Sequence, residues 1–136
     1  MAEVLLSKSN YWKQAAINAA LRGTNFTAPA TVYIALYTSN PTAADTGTEV
    51  TGGSYARQAV TFGSPTIASD QAKTSNSADI DFPVATADWG TITHIGLRSA
   101  ATGGNLLYHG AVTSPRTILA NDRARFISGS VNVSEG

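Results

Sequence analysis

The amino-acid sequence predicts a mainly β fold, an antiparallel β-sandwich or barrel of about seven short strands with one N-terminal α-helix packed against it. Three observations support this prediction. One segment without Gly or Pro has helical periodicity near the N-terminus, short β-branched and aromatic runs follow it, and turn residues separate those runs. The length of 136 residues is that of one domain.

The helix is predicted over residues 9–22. Ser9 or Asn10 is a suitable N-cap, and Gly23 is a suitable residue just beyond the C-terminus. The apolar positions that share one face are Trp12, Ala15, Ala16, Ala19 and Ala20. Because alanines allow another backbone to approach closely, we expect this face to pack against the sheet of the same chain or, alternatively, against a neighbouring copy.

The strongest predicted strand is residues 31–38, which is apolar on both faces and therefore expected at the centre of a sheet. Residues 78–82 alternate, with Ile80 and Phe82 inward and Asp79 and Asp81 outward. Further strands are predicted at residues 55–62, 89–98, 105–113 and 123–133, with a glycine-bearing hairpin loop at 99–104 and a less certain short strand at 66–68.

Two connections are long for hairpin loops, residues 40–53 and 64–76. Loops of this length in a small domain are usually functional. We expect at least one of them to be ordered by contact with another protein chain.

Composition excludes several classes of partner. Nine Lys and Arg residues balance nine Asp and Glu residues, and only 13% of residues are charged. A neutral chain lacks the positive surface that binds nucleic acid or an anionic membrane, so we expect neither partner. Low charge also weakens repulsion between copies, which favours a protein that lives in an assembly.

Other sequence features bound the cellular location. The absence of Cys excludes disulfides and thiolate metal sites. No apolar run approaches the roughly 20 residues of a membrane span. The first residues carry no basic segment before a long apolar stretch, so no secretory signal is expected. We therefore expect a soluble protein that is made and folded in the cytoplasm.

The predicted domain organisation is an N-terminal arm, residues 1–8, followed by a single β-rich domain, residues 9–136. The arm contains the apolar triplet Val4, Leu5 and Leu6, which is too short to form a core of its own. We expect it to dock on a neighbouring chain, with its own sheet as the alternative. The candidate interface residues are Val4, Leu5, Leu6, Tyr11 and Trp12.

Candidate catalytic groups are few. Gly52-Gly53-Ser54-Tyr55-Ala56 lacks the final glycine of a nucleophile elbow and precedes a strand rather than a helix, so a flexible strand entry is favoured. Asp79 and Asp81 have a spacing that suits paired carboxylates in sugar hydrolysis, although strand alternation alone produces it. We predict no catalytic residue and no enzymatic activity.

Candidate ligand-binding groups are equally few. His94 and His109 face each other across a predicted hairpin, but a zinc site needs three or four ligands. Residues 45–49 carry two acidic residues around a glycine and form only part of a calcium loop. We therefore predict no metal and no cofactor. A surface aromatic could stack on a sugar ring, the candidates being Tyr11, Trp12, Tyr55, Trp89 and Tyr108.

The same residues, taken in order, resemble a known family. The segments that carry the resemblance are residues 21–24, 33–38, 40–41, 47–50 and 52–58 in the first half, and 76–78, 82–83, 85–90, 94–96 and 103–110 in the second. Together they are similar to the small tail-fibre-type proteins of tailed bacteriophages, over residues 10–133.

The resemblance implies a non-enzymatic virion structural protein, assembled in the host bacterial cytoplasm. Its expected partners are other virion proteins of the tail, neck or baseplate, and copies of itself as a homo-oligomer. One alternative is a capsid decoration or cement protein. A second is a module that binds a host surface glycan.

Overall fold

The computed structural model describes residues 1 and 3–135. In this part of the chain the elements are β1 (Val4–Lys8), α1 (Asn10–Leu21), β2 (Val32–Tyr37), β3 (Gln58–Val60), β4 (Thr66–Ala68), β5 (Gln71–Ser75), β6 (Ile80–Asp81), β7 (Gly90–Arg98), β8 (Leu106–Ile118), β9 (Arg125–Phe126) and β10 (Val131–Glu135). The prediction of a mainly β fold with one N-terminal helix is confirmed.

The strands form a curled sheet of eight strands in the order β3-β2-β7-β8-β1-β10-β5-β4, and β6 and β9 form a separate pair. Neighbouring strands run antiparallel except β1 and β10, which are parallel. A bridge between Phe62 and Asn76 links the chain beyond β3 to the chain beyond β5. The sheet therefore curls towards closure, as in a sandwich or barrel.

The core lies on the inner face of this curled sheet. Because side chains alternate along a strand, every second residue of the central strands points inward. The β6–β9 pair covers the inner face with Ile80, Phe82 and Phe126, all of which are buried. Phe82 also lies against Trp89 and Phe126 with ring centroids 6.3 Å apart in each pair. The predicted inward position of Ile80 and Phe82 is confirmed.

The structure corrects the prediction of a separate arm over residues 1–8. Residues 4–8 form β1, which lies between β8 and β10 and pairs with both. Val4 and Leu6 point into the core and are 1% exposed, whereas Leu5 points outward. The physical reason is the alternation of Val4, Leu5 and Leu6, which suits a strand that buries one face.

The predicted helix is confirmed within one residue at each end, since α1 spans Asn10–Leu21 and the Ser9 side chain caps it by accepting from the Trp12 N–H. It packs less tightly than predicted, because Trp12, Ala15 and Ala16 of the predicted face are half-buried and no residue of α1 is fully buried. The helix is instead held at its start. The Ser9 hydroxyl donates to the Leu106 carbonyl at 2.5 Å, and the Asn10 N–H donates to the Ala43 carbonyl at 2.8 Å.

The two long connections differ from the prediction. Residues 64–76 are mostly the β4–β5 hairpin at the edge of the sheet. Residues 40–53 form a loop that is ordered by its own chain: the Thr46 N–H donates to the Pro41 carbonyl at 2.6 Å, and Val50 is paired with Leu36. This loop therefore has an ordered conformation within its own chain, and its contact with another chain stays a prediction.

The close passage of β1 over β8 depends on a glycine. A Cβ at Gly110 would lie 3.0 Å from the Leu6 Cδ2 atom and 3.3 Å from the Leu5 carbonyl carbon. We expect Gly110→Ala to lower the free energy of unfolding by about 1 to 3 kcal/mol, the usual cost of overpacking. Chemical denaturation provides the measurement. Gly63→Ala is the control, because a Cβ there meets only the Thr74 hydroxyl at 3.9 Å. Equal stability of the two variants would contradict the prediction.

Candidate functional site

The predicted interface residues do not form one surface. Val4 and Leu6 belong to the hydrophobic core, so they are not available to a partner in this conformation. Leu5, between them, is 64% exposed on the outer face of the sheet. Tyr11 and Trp12 lie in the first turn of α1, on the segment that follows β1.

Trp12 connects the helix to the segment that follows it. Its ring lies 4.8 Å from the ring of Phe26, so the chain after α1 folds back against the start of the helix. The Trp12 indole Nε1 is shielded from solvent and has no hydrogen-bond partner among the described residues. Tyr11, Ala15 and Asn18 line a shallow depression between α1 and residues 24–27.

The apolar surface of α1 that faces solvent is carried by Ile17 and Leu21, which are 57% and 79% exposed. They are four residues apart and therefore neighbours on one face of the helix. Only Lys13 is charged in α1. The alanine face was predicted from the sequence, but this exposed pair was not. The signal in the sequence is the presence of large apolar residues outside the predicted alanine face of the helix.

A buried arginine clamps the loops at one end of the sheet. Arg98, at the end of β7, has a side chain only 9% exposed and donates to both carboxylate oxygens of Asp45, at 2.8 and 2.9 Å. It also donates to the Tyr37 hydroxyl at 3.0 Å and to the Gly104 carbonyl at 3.1 Å. Burial alone lowers the pKa of Arg98, but these hydrogen bonds raise it above its ordinary value.

A second arginine clamp lies beside the first. Arg57 donates to both carboxylate oxygens of Glu49, at 2.9 and 2.8 Å, and Glu49 also accepts from the Tyr55 hydroxyl at 2.6 Å. Arg57 reaches the carbonyls of Ala100 and Gly103 at 2.8 and 2.9 Å. Burial raises the pKa of Glu49, but the donors Arg57 and Tyr55 bring it below its ordinary value.

The two clamps converge on the β7–β8 hairpin loop, residues 99–104, because the Gly103 carbonyl accepts from both arginines. Bidentate arginine–carboxylate pairs are directional and fix geometry well. This arrangement gives the loop end of the domain a defined shape through side-chain hydrogen bonds. The clamps were not predicted from the sequence. The signal that indicates them is an arginine at the end of an apolar strand, after Gly96 and Leu97.

The acidic residues of the incomplete calcium loop have another role. Asp45 pairs with Arg98 and Glu49 with Arg57, so these two carboxylates point to different partners. Asp79 and Asp81 are exposed and both pair with Arg125, at 2.7 and 3.1 Å. A backbone hydrogen bond from Ser128 lowers the pKa of Asp79, the opposite of what a general acid requires.

The two histidines and Ser54 do not form a catalytic or metal-binding group with one another. His94 and His109 lie diagonally on the outer face of the β7–β8 pair, and burial lowers the pKa of each. Within residues 1 and 3–135, no three His, Cys, Asp or Glu side chains are close enough to share a metal ion. The Ser54 and Thr86 hydroxyls form a hydrogen bond at 3.0 Å.

Most of the aromatic residues that were candidates for sugar stacking are engaged inside the protein. Trp89 and Tyr55 contact each other edge to face with centroids 5.4 Å apart, and Trp89 is buried. The Tyr108 hydroxyl donates to Glu135 at 2.7 Å, and Glu135 pairs with Lys8 at 3.0 Å. Tyr11 and Trp12 remain half-buried near the helix start.

Stability is expected to fall on both sides of a plateau between about pH 7 and 9. The pKa values of His94 and His109 are lowered in the folded protein. Their contribution to the free energy of unfolding is therefore complete above about pH 6.5 and is lost as the pH falls below that value. Glu49 and Glu135 have lowered pKa values and add a second loss below about pH 4.5. Burial raises the pKa values of Tyr55 and Tyr108, so their contribution is lost as the pH rises above about 10.

Urea denaturation at a series of pH values measures this profile. The double variant His94→Gln/His109→Gln should flatten the decrease between about pH 6.5 and 5 and leave the lower limb unchanged. A stability that increases from pH 7 to pH 5 would contradict the assignment.

Together, the fold and these side chains define a small β-sheet structural module whose loops are held by internal arginine clamps. Comparison with known proteins is consistent with this class: the family model described as podophage GP4 fiber I protein gp80 matches residues 7–134. The chain belongs to this family of bacteriophage fibre proteins, and the resemblance inferred from the sequence is confirmed. No protein with a curated description matches the chain. Within the described residues, no helix has the length and apolar character needed to cross a membrane.

Proposed function

We propose that the protein is a non-enzymatic virion component, a fibre-type module attached to the tail, neck or baseplate, that acts through protein–protein interfaces. Membership of a phage fibre family supports a role in the particle. The observation that carries the interface is the solvent-facing pair Ile17 and Leu21 on a helix without a buried residue. Leaving such side chains in water forgoes roughly 1.5 to 3 kcal/mol of burial each, so a partner surface stabilises them.

The arginine clamps in the loops support the same proposal. They use Asp45, Glu49, Arg57 and Arg98 internally, so these charges shape the loops rather than bind a charged ligand. A rigid loop end suits a module that must present a constant surface to neighbouring virion chains.

Mass spectrometry of purified particles tests virion membership directly, and absence of the chain from the particles would refute it. Copy number separates the tail-type position from the alternative of a capsid decoration protein. A tail component should be present in tens of copies and a cement protein in hundreds, both on the order expected for closed symmetric assemblies.

The interface is tested with particles assembled in host cells that supply variants of this chain. Ile17→Gln/Leu21→Gln should fold normally and be incorporated poorly. Ile67→Gln is the control, because Ile67 is equally exposed but lies on edge strand β4. Normal incorporation of the helix variant would move the interface elsewhere.

A second candidate function is binding of a host surface glycan, favoured by a groove on the outer face of the sheet. Leu5 lies within this groove, and Gln71, Lys73, Asn132 and Ser134 supply amide, ammonium and hydroxyl groups around it. Such groups can hydrogen-bond to sugar hydroxyls. A glycan array that stays blank with the wild-type protein would refute this function, and Asn132→Ala should abolish any signal that is found.

A further inference from the structure

We propose that β1, with α1 attached, is exchanged between copies of this chain, so that β1 of one copy occupies the position between β8 and β10 in the sheet of a second copy. The occupant of the second copy's sheet is therefore residues 4–21 of the first copy, called here the N-terminal unit. This inference concerns how copies bind each other. It does not depend on where the protein sits in the particle.

The first observation is the position of β1. It pairs with β10 through Val4–Val131 and with β8 through Ser7–His109. Without it, two strands in the middle of the sheet would each have an open edge, and the buried valines Val131 and Val133 would lose an apolar neighbour. The position therefore has to be filled, but a β1 from any copy fills it equally well.

The second observation is the connection between the N-terminal unit and the rest of the domain. Residues 22–31 separate α1 from β2 and form no helix or strand. Within the described part of the chain, the turn and loop hydrogen bonds between backbone atoms do not involve residues 25–31. In the sheet, β7 and β8 lie between β2 and β1, so these strands are about 14 Å apart. Ten residues can span about 33 Å, so the connection has the length to reach a neighbouring copy once the contact between Trp12 and Phe26 is released.

The third observation is the weak attachment of α1 to its own domain. No residue of α1 is buried, and the backbone of its first residue is bonded to Ala43 while the cap Ser9 is bonded to Leu106 and Leu107. Release of the N-terminal unit therefore breaks the contacts of β1 and of the helix start. Insertion into a second copy forms the same contacts again, so the exchange has little net cost apart from the entropy of association. Ile17 and Leu21 move with the unit, because both lie on α1.

Single-cysteine variants test the exchange, and the natural absence of Cys makes the result unambiguous. Ser7 and His109 are antiparallel partners on the outer face of β1 and β8, a pairing whose Cα separation suits a disulfide. Ser7→Cys and His109→Cys proteins are mixed, unfolded, refolded together at increasing protein concentration and oxidised. A disulfide between the two different variants forms only when β1 of one copy lies against β8 of the other. We expect this mixed disulfide, and we expect it to increase with concentration.

The matched control is the mixture of Thr91→Cys with Thr117→Cys, two partners in β7 and β8 whose hydroxyls are 2.9 Å apart within one chain. This mixture should give only background cross-linking. A third sample, the double variant Ser7→Cys/His109→Cys, carries both cysteines in one chain. Mixed disulfide from the two single variants at the control level, together with only intrachain disulfide in the double variant, would overturn the proposal. Light scattering of the unmodified protein is a second measurement, and a monomer at all concentrations would overturn the proposal as well. Neither result changes what mass spectrometry of the particles measures. The proposed function can therefore fail while the exchange is supported, and the exchange can fail while the proposed function is supported.

Discussion

Removal of residues 1–8 is expected to abolish cooperative folding of the domain. Val4 and Leu6 are 1% exposed, and their burial stabilises the fold by roughly 1.5 to 3 kcal/mol per side chain. The deletion also leaves β8 and β10 without their shared neighbour. A domain of this kind is stable by only about 5 to 15 kcal/mol, so the combined loss approaches the whole stability. The interpretation of residues 1–8 as an arm that docks on a neighbouring chain implies the opposite result, a folded domain that no longer assembles.

Point variants separate the inward and outward faces of the same strand. Leu6→Ala should lower the free energy of unfolding by about 2 to 5 kcal/mol, because it leaves a cavity in the core. Leu5→Ala is the matched control and should change it by less than about 0.5 kcal/mol, because Leu5 is exposed. Circular dichroism during urea denaturation measures both. A truncated protein that still unfolds cooperatively, or equal effects of the two variants, would contradict the role of β1.

A peptide of residues 1–9 distinguishes loss of the strand from general damage. Added to the truncated protein, it should restore cooperative unfolding, because β1 supplies the missing ladder and side chains between β8 and β10. The same peptide with Leu6→Asp should not restore it, since it would place a charge in the core. Equal rescue by both peptides would contradict the prediction, because it would show that rescue does not depend on Leu6 entering the core.

Local patterns in the sequence were sufficient for the elements whose structure is determined by near neighbours. Ser9 as a cap, the helix that follows it, and the inward Ile80 and Phe82 follow from capping and strand alternation. The position of β1 could not be obtained in this way. An apolar triplet near a terminus has the same local pattern whether it pairs with its own sheet or with a neighbour. Its parallel pairing with β10 joins the two ends of the chain.

The candidate site was predicted less well for a related reason. The clamp between Asp45 and Arg98 joins residues 53 positions apart, and no local spacing indicates it. The acidic residues Asp45 and Glu49 were recognised as unusual, but their arginine partners were not. Exposure of Ile17 and Leu21 depends on which side of α1 meets the sheet. Trp12, Ala15 and Ala16 of the predicted face are half-buried, so the side was predicted, but the exposed apolar pair outside that face was not.

Replacement of Arg98 by alanine is expected to lower the free energy of unfolding by about 3 kcal/mol. Removing one partner of a buried ion pair usually costs about 3 to 5 kcal/mol, because the other partner stays buried without compensation. The lower end applies here, because the Asp45 side chain is 37% exposed and water can partly replace the guanidinium. The Tyr37 hydroxyl and the Gly104 carbonyl also lose their donor. For a domain of this size the loss corresponds to a decrease in Tm of about 10 °C.

Arg125→Ala is the matched control for Arg98→Ala. Arg125 also pairs with two carboxylates, Asp79 and Asp81, but its side chain is 54% exposed, so its removal should cost at most about 1 kcal/mol. Arg98→Lys keeps the charge but not the planar pair of donors, and it should recover only part of the loss. Limited proteolysis adds a local readout: cleavage within residues 40–50 and 99–104 should increase in Arg98→Ala and stay unchanged in Arg125→Ala. If the two alanine variants lost equal stability and their loops resisted protease equally, the loop end would be held by its apolar contacts, with Pro41 and Leu106 as the residues to replace next.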